Sequence, residues 1–129
     1  MIVFSNHRLG PAAELLVSSE VAESMLRAVA DAARPLAEGR WECELVKWLS
    51  DRAVDHDALD AIDVGDVAWT PEHFERQRQF LVSAIVRAAQ GSGHGRALAR
   101  WVAMIEAHPR DCVQVGRRWT SPRLASSSI

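Results

Sequence analysis

The sequence contains little of what disulfide-based or metal-based folds need. Only two cysteines occur, Cys43 and Cys112, so a framework of several disulfides is excluded. The five histidines include no pair four residues apart, and the chain has neither a CxxC nor an HExxH motif. We therefore expect two reduced thiols, no metal site and no cofactor.

Lysine and long apolar runs are also scarce. Lys47 is the only lysine among 15 basic residues, so no lysine follows the glycines of residues 91–95 as a P-loop would require. The uncharged stretches fall short of the ~18 apolar residues that a membrane span needs. The first residues do not have the pattern of a signal peptide. These features predict a cytoplasmic protein that does not enter a membrane.

The rest of the composition is that of an ordinary folded domain. Of the 129 residues, 48% are hydrophobic and 25% are charged. A chain of this size can bury a core without disulfides or metal. We expect residues 1–123 to form a single helical domain, with residues 124–129 as a disordered tail.

Charge is unevenly distributed along the chain. Residues 1–93 carry 9 basic and 15 acidic side chains, whereas residues 94–129 carry 6 basic and 2 acidic ones. The overall charge of -2 argues against nucleic-acid binding, which usually needs a basic face.

Four stretches have the apolar spacing of amphipathic helices. They are residues 18–35, 39–51, 70–91 and 96–108. The clearest begins at Thr70-Pro71, because threonine is a good N-cap and proline fits the first helical position. Trp69 and Phe74 have the spacing of a hydrophobic staple. The expected fold class is mainly α, a small bundle of about four helices.

Short β-prone runs lie near both chain ends. They are Ile2-Val3-Phe4 and Cys112-Val113-Gln114-Val115. Together they predict a short two-stranded β-ribbon packed on the helices, since an isolated ribbon is barely stable. Residues 11–17 fit either a short strand or a helical turn begun by Pro11.

The segment from residue 55 to residue 66 is strongly acidic. It contains Asp55, Asp57, Asp60, Asp63 and Asp66. A short helix over residues 57–63 is one interpretation. An EF-hand starting at Asp55 is not supported, because Leu59 stands at its fifth position and Asp60 where glycine is needed. Clustered carboxylates attract basic surfaces, so these five residues are predicted to bind a basic protein partner. A solvated acidic surface is the simpler alternative.

A glycine-rich loop is the second candidate site. Residues 91–95 are Gly-Ser-Gly-His-Gly, and Arg96 and Arg100 follow one helical turn apart. The loop follows a predicted helix, whereas phosphate-binding glycine motifs follow a strand. We expect a helix stop and hinge here, with His94, Arg96 and Arg100 as candidates for binding an anion.

Trp119 follows two arginines, Arg117 and Arg118. Tryptophan and arginine are common interface anchors, so this segment is one candidate interface. The favoured interpretation is that Trp119 folds back onto the helices with an arginine stacked on it.

No set of residues in the sequence indicates a reaction, and no residue is predicted to be catalytic. Our first hypothesis is a non-catalytic protein-binding domain, for example an inhibitor or immunity-type protein that docks a basic partner. It is based on the small size, the acidic segment and the lack of a catalytic motif. The alternative is a small enzyme or ligand-binding domain for an anionic small molecule at the Gly91–Gly95 loop.

Overall fold

The computed structural model describes residues 1–10, 13–54 and 61–113 and Trp119. Within this part of the chain there are four α-helices: α1 (Ser19–Ala33), α2 (Arg40–Val54), α3 (Phe74–Gly91) and α4 (Gly95–Glu106). Three short strands complete the fold: β1 (Ile2–Ser5), β2 (Glu14–Val17) and β3 (Ala61–Asp63). The predicted fold class, a mainly α bundle of four helices with a small β element, is confirmed.

The β element has different strands from the predicted ribbon. β1 is the central strand of three: it pairs with β2 in antiparallel fashion and with β3 in parallel fashion. Both edges of β1 are therefore occupied, and the predicted pairing with residues 112–115 is wrong. Cys112 lies in a 3-10 turn (Arg110–Cys112), while residues 114 and 115 lie outside the described residues.

The β2 strand resolves the ambiguity of residues 11–17 for the part that is described. Leu15 and Val17 are buried, while Glu14 and Leu16 point to solvent. That alternation is the signature of a strand with one buried face. Similarly, residues 61–63 form β3 rather than the end of a short helix, because they pair with β1.

The helices surround a continuous apolar core. α1 packs against both α2 and α3, and α3 packs against α4. Ser18 caps the N-terminus of α1, because its hydroxyl accepts a hydrogen bond from the Val21 N–H (3.2 Å). Its core face contains Met25, Leu26 and Val29, all fully buried.

The sheet is fixed to α4 by one aromatic contact and one buried polar contact. The rings of Phe4 and Trp101 meet edge to face, with centroids 4.9 Å apart. Asn6, which is fully buried, donates from Nδ2 to the carbonyl of Met104 (2.9 Å). These contacts connect the first strand to the last helix.

The predicted Thr70 helix begins differently from the prediction. A 3-10 turn (Pro71–His73) precedes α3, and the Thr70 side chain does not cap it. Instead the side chain of Gln77 reaches back: its Oε1 accepts from the Thr70 N–H and its Nε2 donates to Thr70 Oγ1 (both 2.9 Å). The predicted staple is confirmed, because the Trp69 and Phe74 rings meet edge to face at 5.2 Å.

Candidate partner-binding surface

The acidic segment connects two anchored elements. α2 ends at Val54 and β3 begins at Ala61. Asp55, Asp57 and Asp60 lie between them, outside the described residues. Asp63 and Asp66 are described, so the structure shows how the second half of the segment is held.

Asp63 is a structural carboxylate rather than a free surface charge. Its Oδ1 accepts from the Ser5 hydroxyl (3.0 Å) and from the His7 N–H (2.8 Å), and its Oδ2 accepts from the Gly65 N–H (2.8 Å). The side chain is only 13% exposed. It therefore binds the end of β1 and caps the turn that follows β3.

Asp66 belongs to a contact that leads back to α2. Its carboxylate lies 3.5 Å from the Arg52 guanidinium, and the Asp66 side chain is 27% exposed. Arg52 is nearly buried and lies over the Trp48 ring, 5.4 Å from its centroid. The acidic segment is thus coupled through Arg52 to the tryptophans of α2.

One face of α2, at the edge of the core, carries an aromatic slot formed by Trp41, Glu44 and Trp48. The Trp119 indole occupies it, with its ring centroid 5.6 Å from that of Trp41 and 5.8 Å from that of Trp48. Its Nε1–H donates to Glu44 Oε2 (2.8 Å). The predicted packing of Trp119 against the helices is confirmed, and among the described residues Arg52 lies over the Trp48 ring of the same cluster, while Arg117 and Arg118 lie outside the described residues.

The walls of the aromatic slot are fixed from behind. Trp41 Nε1–H donates to the carbonyl of Ala68 (2.7 Å), and its ring lies 5.9 Å from that of the buried Trp69. Glu44 also accepts a hydrogen bond from Arg40 Nε (2.9 Å) one turn earlier. The slot is therefore preorganised by contacts that do not involve Trp119.

Electrostatics at Glu44 follow from these contacts. The hydrogen bond from Trp119 is the main cause that lowers the pKa of Glu44 below its usual value of 4.5. Partial burial acts in the opposite direction, and the hydrogen bond and positive charge of Arg40 lower the pKa further. Glu44 is thus held as an anion at neutral pH, facing the slot.

The three residues predicted to bind an anion make different contacts. His94 Nε2 lies 3.1 Å from the Ser24 hydroxyl on α1. Arg100 donates to the carbonyl of Glu14 on β2 (2.9 Å), and Arg96 is exposed at the start of α4. The anion site stays a prediction, with Arg100 already donating to the sheet.

A shallow groove on the described surface lies close in sequence to the glycine loop. It has a volume of about 350 Å³ and lies between α3 and α4. Its lining is aliphatic except for one glutamine: Ile85, Val86, Ala89, Gln90, Leu98, Ala99 and Val102. It borders the glycine loop but does not bring several polar groups together there, as a site for a small anionic ligand would require.

Residues 1–10, 13–54, 61–113 and 119 contain no cluster of three potential metal ligands. No helix among these residues has the length and apolar character required to span a bilayer.

Sequence reasoning missed the aromatic slot as a unit. The spacing of Trp41 and Trp48 on α2 is that of a core-facing stripe, and Trp48 is buried, but Trp41 is only partly buried and contacts Trp119. The available signal was spacing: Trp41, Glu44 and Trp48 stand at positions i, i+3 and i+7, which share one helix face.

Comparison with known proteins gives no relative. No protein-family model, no curated protein and no solved structure matches the chain.

Proposed function

We propose that this chain is a cytoplasmic, non-catalytic protein-binding domain of the inhibitor or immunity type, which docks a basic partner protein through its acidic segment. The observation that supports the proposal is the anchoring of that segment at both ends. It leaves α2 at Val54 and joins the sheet at Ala61, where Asp63 holds β1. A segment held at both ends has less conformational entropy to lose on binding than a free chain terminus has.

The anchoring divides the five aspartates into two groups. Asp63 and Asp66 have internal partners, so they position the segment. Asp55, Asp57 and Asp60 are the aspartates assigned to the partner in this proposal, and residues 55–60 contain no lysine or arginine in sequence. Three negative charges within six residues steer a basic surface toward this side of the domain.

The test compares two variants with the same loss of charge. The first carries Asp55→Asn, Asp57→Asn and Asp60→Asn. The control carries Glu38→Gln, Glu72→Gln and Asp111→Asn, which neutralise three exposed acids elsewhere. Each protein is immobilised, exposed to host lysate, and its captured proteins are identified by mass spectrometry.

We expect a basic protein that wild type and control retain and that the first variant loses. That protein is then purified, and its association rate with the wild type should fall as salt rises from about 50 to about 300 mM. Salt at these concentrations screens charge–charge attraction beyond about 10 Å, so the partner is no longer steered from a distance. If every captured protein binds the first variant as strongly as the control, the acidic segment is not the docking site.

The alternative function, binding of an anionic small molecule at the Gly91–Gly95 loop, has its own test. A thermal-shift screen with phosphate, nucleotides and dicarboxylates measures whether any of them stabilises the folded state. We expect no shift above about 1 °C, which for a domain of this size corresponds to about 0.2–0.3 kcal/mol of stabilisation by the ligand. A larger shift that Arg96→Ala abolishes would establish the anion site instead.

A further inference from the structure

The aromatic slot of α2 holds a side chain from a distant part of the sequence. Trp119 lies 75 positions after Glu44, yet its indole contacts Trp41 and Trp48 and donates to the Glu44 carboxylate. The slot thus recognises a tryptophan by two means: ring contact on both sides and one charge-assisted hydrogen bond.

This contact lies at the edge of the core, because Trp48 on the inner wall of the slot is 6% exposed while Trp41 is only partly buried. Trp69 and Trp101 are 1% and 2% exposed, whereas Trp119 is only partly buried. The Glu44 side chain is 40% exposed. An indole from another molecule can therefore reach the same acceptor without opening the core.

The slot is also built independently of its occupant. Arg40 orients the Glu44 carboxylate, and the Ala68 carbonyl and Trp69 ring fix Trp41. A preorganised site keeps its affinity for an indole after its own indole has left, because no further ordering of its walls is needed.

We propose that the aromatic slot is a recognition site for a tryptophan preceded by arginines, which Trp119 fills within the chain and a partner segment of the same chemistry fills by displacing it. The arginine requirement comes from the sequence of the occupant, since Arg117 and Arg118 precede Trp119, and from the negative charge of Glu44 in the slot. Trp119 is then an intramolecular competitor of the partner.

The slot is linked to the described end of the acidic segment through one side chain. Arg52 lies over Trp48, and its guanidinium lies 3.5 Å from the Asp66 carboxylate. The partner that inserts a tryptophan into the slot is then the same basic protein that meets the acidic segment. The identity of the partner as this basic protein rests on the proposed function. The displacement of Trp119 from the slot by another tryptophan does not depend on it.

The test uses a fluorescein-labelled peptide with the sequence of residues 114–123, which contains Trp119 and three arginines. Its anisotropy is titrated with four full-length proteins: wild type, Trp119→Ala, Trp119→Ala with Glu44→Ala, and Trp119→Ala with Glu38→Ala. The last is the matched control, because Glu38 is an exposed glutamate in the turn before α2.

We expect the peptide to bind Trp119→Ala at least about fivefold more tightly than wild type, because a tethered competitor acts at millimolar effective concentration. Glu44→Ala should weaken binding at least about tenfold and Glu38→Ala by less than twofold. A peptide in which Trp119 is replaced by alanine should not bind. The proposal is overturned if the peptide binds all four proteins equally. It is also overturned if the peptide does not bind Trp119→Ala at about 1 mM, the order of magnitude of that effective concentration.

A second measurement covers the case in which Trp119→Ala does not fold. The indole N–H signal of Trp119 in wild type is assigned by its loss in Trp119→Phe, and excess unlabelled peptide is then added. Movement of that signal to a solvent-exposed position supports displacement, and an unchanged signal contradicts it. If the peptide binds while the Asp55, Asp57 and Asp60 variant captures partners normally, the slot stands and the proposed function fails.

Discussion

The Ser5 hydroxyl donates a hydrogen bond to the Asp63 carboxylate (3.0 Å), and this contact joins the end of the acidic segment to the central strand of the sheet. Ser5 is 1% exposed, so the bond is shielded from water on one side. The same carboxylate accepts the N–H groups of His7 and Gly65. One of the five aspartates predicted to meet a partner is therefore needed to hold the fold together.

Replacing Asp63 by alanine should lower the free energy of unfolding by about 1–3 kcal/mol. The substitution leaves the buried Ser5 hydroxyl and two backbone N–H groups without their acceptor, and an unsatisfied buried donor costs roughly this much. Urea unfolding followed by circular dichroism measures the change.

Asp51→Ala is the matched control for Asp63→Ala. Asp51 is an exposed aspartate paired with Lys47 on one face of α2 (3.3 Å), and such surface pairs contribute only about 0.3–0.5 kcal/mol. Equal losses in the two variants would mean that Asp63 acts as an ordinary surface charge.

A second prediction concerns Gln77, which is 2% exposed and makes both hydrogen bonds to Thr70. Gln77→Ala should destabilise the domain by about 1–3 kcal/mol, because the Thr70 N–H loses its acceptor at the entry to α3. Gln77→Glu should also destabilise the domain at neutral pH, since it keeps an acceptor for that N–H but places a carboxylate at a buried position. Gln79→Ala, on the exposed side of the same helix, provides the control and should change stability by less than about 0.5 kcal/mol.

The helices could be predicted from the sequence because local rules determine them. Ser18 caps α1, proline and glycine interrupt the apolar periodicity, and the Trp69–Phe74 staple is a contact between near neighbours. The start of α3 was placed too early because Thr70 bonds to Gln77 rather than to the first turn, and propensity alone does not reveal that choice.

The strand partners and the aromatic slot depend on contacts between distant residues. β1 has enough β propensity to be recognised, but nothing local shows that residues 14–17 and 61–63 are its neighbours. The sequence likewise places Trp119 near two arginines, and only the tertiary fold brings it to Glu44. Helix position was therefore predictable, while pairing between elements was not.

A third prediction contrasts two tryptophans of the same cluster. Trp69 is fully buried, contacts Phe74 and donates to the Val64 carbonyl (2.9 Å), so Trp69→Ala should cost about 3–5 kcal/mol. Trp119 is only partly buried, so Trp119→Ala should cost about 1 kcal/mol. Urea midpoints of the two variants measure the contrast. A loss at Trp119 as large as that at Trp69 would make Trp119 part of the core and not a displaceable occupant.

The fourth prediction is a pH dependence that originates at Glu44. Because its pKa is lowered in the folded state, the unfolded chain binds a proton here more readily than the folded chain. The stabilisation by the Glu44 carboxylate is therefore fully present above its usual pKa of 4.5 and is lost as the pH falls through the lower folded value. The carboxylate is partly exposed, so we expect about 0.2–1 kcal/mol at neutral pH.

Glu44→Gln measures this contribution, because it removes the charge and keeps an oxygen that can accept from the indole. The difference in unfolding free energy between wild type and Glu44→Gln should stay constant from pH 7 to about 5.5 and shrink toward pH 3. Repeating the pair of measurements in Trp119→Phe should remove most of this pH dependence, since the main cause of the lowered pKa is the Trp119 N–H. A difference that persists at pH 3, or that is unchanged by Trp119→Phe, would show that the indole does not hold Glu44 in its ionised form.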